Sequence, residues 1–237
     1  MGSFDSNERM RTVKAYNLHL VSESQCGLSG VPSLEDQDIQ EPKKLIGFNY
    51  AKTMIDEEKS QSCCHFFLDD YQFERVWTSP EKYFGMLRGF QSVCTPDFSL
   101  YGDMPIPMQR WNIYRSRAVG FMWQREGIKV VPTLSWSFPE SYAFCFDGLP
   151  KGATYAVSTI GVMRDKFAYR HWCRGMDEAI KRLLPKRLIV YGKMPDFDFG
   201  GVQVFSFNGD MTERIGKWAD VVAARQQEVT RKHLHQN

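Results

Sequence analysis

The sequence predicts an α/β fold: repeated β-α units around a mainly parallel sheet, in a compact or irregular TIM-barrel-like form rather than an open doubly wound one. Three observations predict it. From residue 64 onward, short apolar runs alternate with longer amphipathic stretches. The runs are apolar on both faces, as strands of a parallel sheet covered by helices must be. Counting every run gives about eight strands, the number a closed (β/α) barrel needs, although 237 residues is short against the roughly 250 typical of that fold.

In chain order, the N-terminal forty-one residues read as an arm that is only partly ordered, and residues 42–237 as one α/β domain. Strands are predicted at "VKAYNLHLV" (13–21) and "LIGFN" (45–49), with the acid-rich connection "SLEDQDIQEPKK" between them. "CHFFL" then precedes the helix "SPEKYFGMLRGF", where Ser79, Pro80 and Glu81 supply a cap, a proline at the first helical position and an early acid. "SVCT" precedes a long helix that Gly127 ends, and "IKVVPTLSW" precedes "FPESYAFCF". "ATYAVST" leads to a helix closed by Pro185, "RLIVYG" leads through a loop to "VQVFSF", and a last helix is predicted over about 211–232.

A hydrophobic content of 43% can bury the core of a single domain. With 30 basic and 28 acidic residues the net charge is +2, too weak a field to argue for nucleic acid from charge alone. No apolar stretch is long enough to cross a bilayer and "MGSFDSNERMRTVK" lacks the middle of a secretory signal, so a soluble, cytoplasmic protein without a membrane partner is expected. Gly2 and Ser6 match a short acylation pattern that acts only where the acylating enzyme exists. The six cysteines have no C-x-x-C spacing and read as reduced, mainly buried thiols. Cys63, Cys64 and His65 would point to alternating faces of an extended chain and chelate poorly.

In parallel α/β folds the loops at the carboxyl ends of the strands build the site. Asp69 and Asp70 follow one predicted strand and Asp97 the next; Ser135 and Trp136, Ser158 and Thr159, and Tyr191, Gly192 and Lys193 follow three more. Neighbouring carboxylates can share acid and base work, so Asp69, Asp70 and Asp97, with Lys193 to meet negative charge, are candidate catalytic residues. Asp69 and Asp97 could instead hold Mg²⁺. The competing reading of each aspartate is a helix cap or an Asx-turn. Trp136 and Tyr191 fit a stacking platform or simple rim packing equally well.

The helix around 107–127 interleaves Arg110, Arg115, Arg117 and Arg125 with aromatic residues, a mixture suited to phosphate and base contact; its apolar stripe of Met108, Trp111, Ala118 and Met122 favours a packing helix with a solvated basic face. His171 reads as an ordinary helical histidine, and His233 and His235 as part of a solvated tail. The sequence has no G-x-x-x-x-G-K-[ST], no G-x-G-x-x-G after a strand, no H-E-x-x-H and no G-x-S-x-G, which argues against the common nucleotide hydrolases, dinucleotide enzymes, zinc proteases and serine esterases.

The motifs "HFFLDDYQFERVW", "TPDFSLYGDMP", "QRWNIYRSR", "GIKVVPTLSW" and "FCFDGLPKGATYAVSTIGV", in that order over roughly 42–193, resemble domain of unknown function family 4417 of bacteria, phages and other mobile elements. The resemblance implies a phage or mobile-element origin and no particular activity. It draws attention to Asp69, Asp70, Asp97 and Asp103, which lie inside the matching motifs, while "CTPDFS" departs from the pattern where a serine would stand for Cys94 or Thr95. The expected function is an enzyme acting on a nucleotide, nucleic acid or other phosphate-bearing substrate. Asp103, Arg110, Ser135, Trp136, Ser158, Thr159 and Tyr191 would contact that substrate. The alternative is a non-catalytic module that binds a small ligand or a host protein through the same face.

Overall fold

The computed structural model describes residues 7–208, with side chains from residue 10; the predicted last helix, His233 and His235 lie outside them. The first helix, α1, spans Asn7–Ala15. It takes in residues 13–15 of the run predicted as a strand, and a 3-10 turn takes in Leu18–Leu20. Asn17 separates the two in the left-handed region at φ 54° and donates its amide to the carbonyl of Trp77 at 2.7 Å. A local backbone turn thus overrides the alternating pattern of residues 13–21.

The strands that do form are short. They are β1 (Lys44–Gly47), β2 (Ser62–His65) after the one-turn helix α2 (Asp56–Lys59), and β3 (Ser92–Cys94) after α3 (Arg75–Thr78) and α4 (Glu81–Leu87). The long helix α5 spans Ile106–Arg125, and β4 is Val130–Val131 alone. Pro80, not Ser79, flanks α4, and no side chain caps that end. After α6 (Tyr142–Cys145) come β5 (Thr154–Ser158), α7 (Lys166–Leu183), β6 (Arg187–Tyr191) and β7 (Gln203–Phe207). Asp165 caps α7 by accepting from the amides of Phe167 and Ala168 at 2.7 and 3.1 Å.

All pairings between these strands are parallel. One sheet has the order β1-β2-β3-β4 and a second the order β5-β6-β7. A single parallel bridge from Thr133, just past β4, to Ala156 of β5 joins them. Among the described residues β1 pairs only with β2 and β7 only with β6, so no closed barrel forms. The eight-strand count failed at residues 13–21, which are helix and turn. The fold is an α/β arrangement of two parallel sheets.

Side chains alternate across the strands as the pleat demands. Cys64 and Phe66 join Phe48, Phe73 and Trp123 in a cluster beneath α3, α4 and α5. On the second sheet Tyr155, Val157, Leu188 and Val190 pack with Trp172 and Met176 of α7. The opposite faces share a third cluster of Leu45, Cys63, Cys94, Val131, Ala156, Ile189 and Tyr191, with Phe205 and Phe207 of β7 against it. Every strand contributes to that inner cluster, and so does Ile39 from the N-terminal arm. Val31 and Leu34 of the arm are also buried, and Lys186 pairs with Asp36 at 2.9 Å. Burying side chains such as Phe66 or Leu188 contributes about 1.5–3 kcal/mol each.

Candidate functional site

A cavity of about 850 Å³ opens where the carboxyl ends of β2, β3, β4 and β5 meet α7, above the seam between the two sheets. Its position follows from topology, because parallel strands deliver their following loops to one edge.

β2 stops at His65, three residues earlier than the apolar run suggests, and the chain passes through Phe66, Phe67 and Leu68 to Asp69. Asp69 flanks a 3-10 turn at Asp70–Gln72 and lines the cavity as an exposed carboxylate. Asp70 turns away. Its carboxylate accepts from the Ser99 amide at 3.1 and 3.2 Å and from the Ser99 hydroxyl at 2.9 Å, tying the loop after β2 to the loop after β3. That second loop is also anchored by Thr95, whose hydroxyl accepts from the Thr133 amide at 2.9 Å while Thr133 donates to the Thr95 carbonyl at 2.7 Å. From α5, the Arg115 guanidinium lies 3.8 Å from the centre of the Phe98 ring and donates to Glu74 at 2.6 Å.

Between these anchors sits Asp97. Its Oδ1 is shielded from solvent and has no hydrogen-bond partner among the described residues. Burial raises its pKa from the ordinary 3.8 to about 7, with the Ser135 hydroxyl opposing the rise and the Asp70 carboxylate adding to it.

The segment after β4 supplies Ser135, Trp136, Ser137 and Phe138 in succession. Trp136 can reach its place because Gly175 of α7 has no side chain: a β-carbon there would overlap the indole. Gly102 gives Phe138 the same freedom, since a β-carbon would come within 2.5 Å of its ring. Ser137 is 9% exposed, and its hydroxyl has no partner among the described residues. At the end of β5, Ser158 accepts from the Ile160 amide at 3.1 Å, and its carbonyl takes the Trp172 indole N–H at 3.0 Å. One face of α7 adds Phe167, His171 and Trp172. The His171 ring sits 4.3 Å from Phe167 and 4.9 Å from Phe138, centre to centre, and its Nδ1 is shielded and unpartnered.

Of the residues singled out from the sequence, Asp69, Asp97, Ser135, Trp136 and Ser158 share this cavity. The others do not line it. Asp70 is the clamp just described. Thr159 is buried and donates to the Lys193 carbonyl at 2.8 Å, a bond that holds the ends of β5 and β6 together. Tyr191 belongs to the inner cluster, stacked 5.3 Å from Phe67 and tilted 4.2 Å from His65, so the stacking-platform expectation gives way to core packing. Lys193 and Asp103 are exposed elsewhere, and Arg110 lies over the Phe144 ring at 4.7 Å beside a separate small hollow. Of the other arginines of α5, Arg117 is 1% exposed and donates to the Cys145 carbonyl at 2.6 Å, a core role rather than a solvated one. No group of three or more His, Cys, Asp or Glu side chains is placed to hold a metal among the described residues.

Sequence reasoning missed Gln72, Tyr101, Ser137, Phe167 and His171. For the two on α7 a signal existed: positions 167 and 171 are one turn apart and share a helix face. The others reach the cavity through loop conformations without a periodic signature.

Residues 23–208 match the family described as a domain of unknown function, DUF4417. The chain belongs to this family. The match is wider at both ends than the motifs alone suggested and takes in much of the N-terminal arm. Over 182 residues the chain is 39% identical to the Gene 1 protein of Mycobacterium phage L5, covering 77% of this chain and 79% of that one. It is 41% identical over 153 residues to the Gene 1 protein of Mycobacterium phage D29, covering 65% of this chain and 57% of the relative. These phage relatives accord with the origin that the resemblance implies. No solved structure matches the chain at a significant level. All the cavity residues named above fall inside the family match. No helix among the described residues is long and apolar enough to cross a membrane.

Proposed function

We propose that this family member binds a small, ring-bearing organic molecule in the cavity, held between aromatic walls with Asp97 as its polar anchor. The observation that carries the reading is a convergence: Asp97 Oδ1, Ser137 Oγ and His171 Nδ1 are all shielded and unpartnered, and all three residues line one cavity. Buried polar atoms are ordinarily paired, and each one left bare costs about 1–3 kcal/mol. A ligand that satisfies several of them recovers that cost. The volume lies inside the roughly 300–1,000 Å³ range of small-molecule sites.

The phosphate-bearing substrate expected from the sequence gains no support here, because no lysine or arginine among the described residues lines the cavity. An uncharged or cationic ligand suits it better. A second reading, catalysis, is favoured by one observation: the pKa of Asp97 near 7 lets it take or give a proton at neutral pH. The same reading takes the two sheets as parts of an irregular, opened barrel with the cavity at its mouth, supported by the inner cluster to which every strand contributes.

The test is to denature the purified chain and identify released small molecules by mass spectrometry, then to add the compound back in excess. Stoichiometric retention of an unchanged compound, lost in Asp97→Asn, supports binding; conversion on incubation supports catalysis. A chain that releases nothing and binds no member of a fragment library has no such function.

A further inference from the structure

Resting on the ligand-binding reading, we infer that the cavity is selective for an organic ammonium ion: a primary or secondary amine carried on an apolar or aromatic body.

The charges point this way first. Two carboxylates, Asp69 and Asp97, line the cavity, and neither enters an ion pair among the described residues. Asp70 adds a third negative charge just behind them. The protein therefore leaves a site of net negative potential for a ligand to neutralise. An anion would meet uncompensated repulsion from these carboxylates, whereas an ammonium would supply the missing partner.

The walls argue independently. Tyr101, Trp136, Phe138, Phe167 and Trp172 surround the same space, and aromatic faces attract cations while accepting an apolar body. The polar atoms give a third, stereochemical reason. An ammonium has up to three N–H donors and no acceptor. Asp97 and Ser137 line the cavity, and Asp97 Oδ1 and the hydroxyl of Ser137, a residue nine-tenths buried, have no partner among the described residues and are both able to accept.

The experiment is isothermal titration of the full chain at pH 8 with three matched series, each with phenyl bodies on two- to four-carbon tethers: phenylalkylammonium ions, the isosteric phenylalkanols and the phenylalkanoates. The inference expects the ammonium to bind about tenfold or more tighter than the alcohol, with no detectable carboxylate binding. Asp69→Asn, at an exposed position, should narrow the margin, and Asp97→Asn should abolish it. Should Asp97→Asn fail to fold, the wild-type ranking and Asp69→Asn still decide. Alcohols binding as tightly as ammonium ions would overturn the selectivity and leave a ligand cavity standing. No binding in any series would remove the ammonium inference, and the ligand-binding reading then rests on the released-compound and fragment tests.

Discussion

The indole of Trp136 lies so close to the α-carbon of Gly175 on α7 that even a β-carbon at position 175 would overlap it. The segment carrying Ser135 and Ser137 is therefore seated against α7 by the absence of a side chain. Gly175→Ala gains about 1 kcal/mol in helix propensity but overpacks a buried contact, which costs about 1–3 kcal/mol. The overlap should win, lowering the thermal midpoint and changing the near-ultraviolet circular dichroism of the tryptophans. Gly85→Ala is the control, because position 85 of α4 is exposed and a β-carbon there meets nothing within 4 Å. It should stabilise the chain by about 0.5–1 kcal/mol. Equal effects at the two sites would show that Trp136 is free to move.

A second prediction concerns Arg115. Its guanidinium joins Glu74 and Asn112 by bonds of 2.6 and 2.7 Å while covering Phe98, the residue next to Asp97. Lysine keeps the charge but loses the planar fork and the stacked face. Arg115→Lys should cost about 1–3 kcal/mol in denaturant unfolding and weaken ligand binding through the loop that holds Asp97. Unfolding midpoints that match within error would reduce the contact to incidental packing.

How these residues relate to the sequence is instructive. The rule that parallel strands present their carboxyl ends to one edge brought Asp69, Asp97, Ser135, Trp136 and Ser158 together, although up to 89 positions separate them. The same rule could not separate Asp69 from Asp70, or Ser158 from Thr159. Adjacent side chains near a strand end point in opposite directions, and the turn that follows decides which faces the hollow. The apolar run at 64–68 also overstated its strand, since Phe66 and Phe67 are core residues of the loop beyond β2. Hydrophobicity reports burial, and burial does not require a strand. Residues 13–21 failed for a related reason, because a short helix and a 3-10 turn bury Val13 and Val21 as well as a strand would.

Lys193 supplies a third test. Sequence reasoning gave it a role against negative charge, but its side chain is exposed and outside the cavity, while its carbonyl accepts from Thr159. Lys193→Ala should leave ligand affinity unchanged, because the backbone bond survives the substitution. Ser137→Ala, which removes an unpartnered hydroxyl from the wall, should weaken an ammonium ligand about threefold to tenfold. Titrations in which the two variants change places would return Lys193 to the site.

Asp97 and His65 are buried ionisable groups whose effects on stability oppose each other with pH. Burial holds the His65 pKa near 3, below its ordinary 6.5, so the folded chain refuses a proton that the unfolded chain accepts. Its contribution to stability is present above pH 6.5 and is lost as pH falls toward 3. Asp97 runs the other way. Its pKa is raised from 3.8 to about 7, so the folded chain keeps a proton that the unfolded chain has released, and stability is lost as pH rises through that window. Asp69, Asp70, Tyr101 and His171 also border the Asp97 environment, and Cys94 lies within reach of its charge. Between about pH 4 and 6.5 the two slopes cancel in part, each group alone changing stability by up to about 1.4 kcal/mol for every pH step of one. Asp97→Asn should therefore raise the thermal midpoint more at pH 8 than at pH 4.5, leaving a profile that climbs steadily from acid to neutral. His65→Gln removes the acid-sensitive group and should leave a profile that falls from pH 4 to 7, even though it loses the 3.2 Å bond from the Phe67 amide to Nδ1 and lowers stability throughout. Thermal melts of the three proteins across this range separate the two effects, and parallel profiles would mean that neither group has the protonation assigned to it.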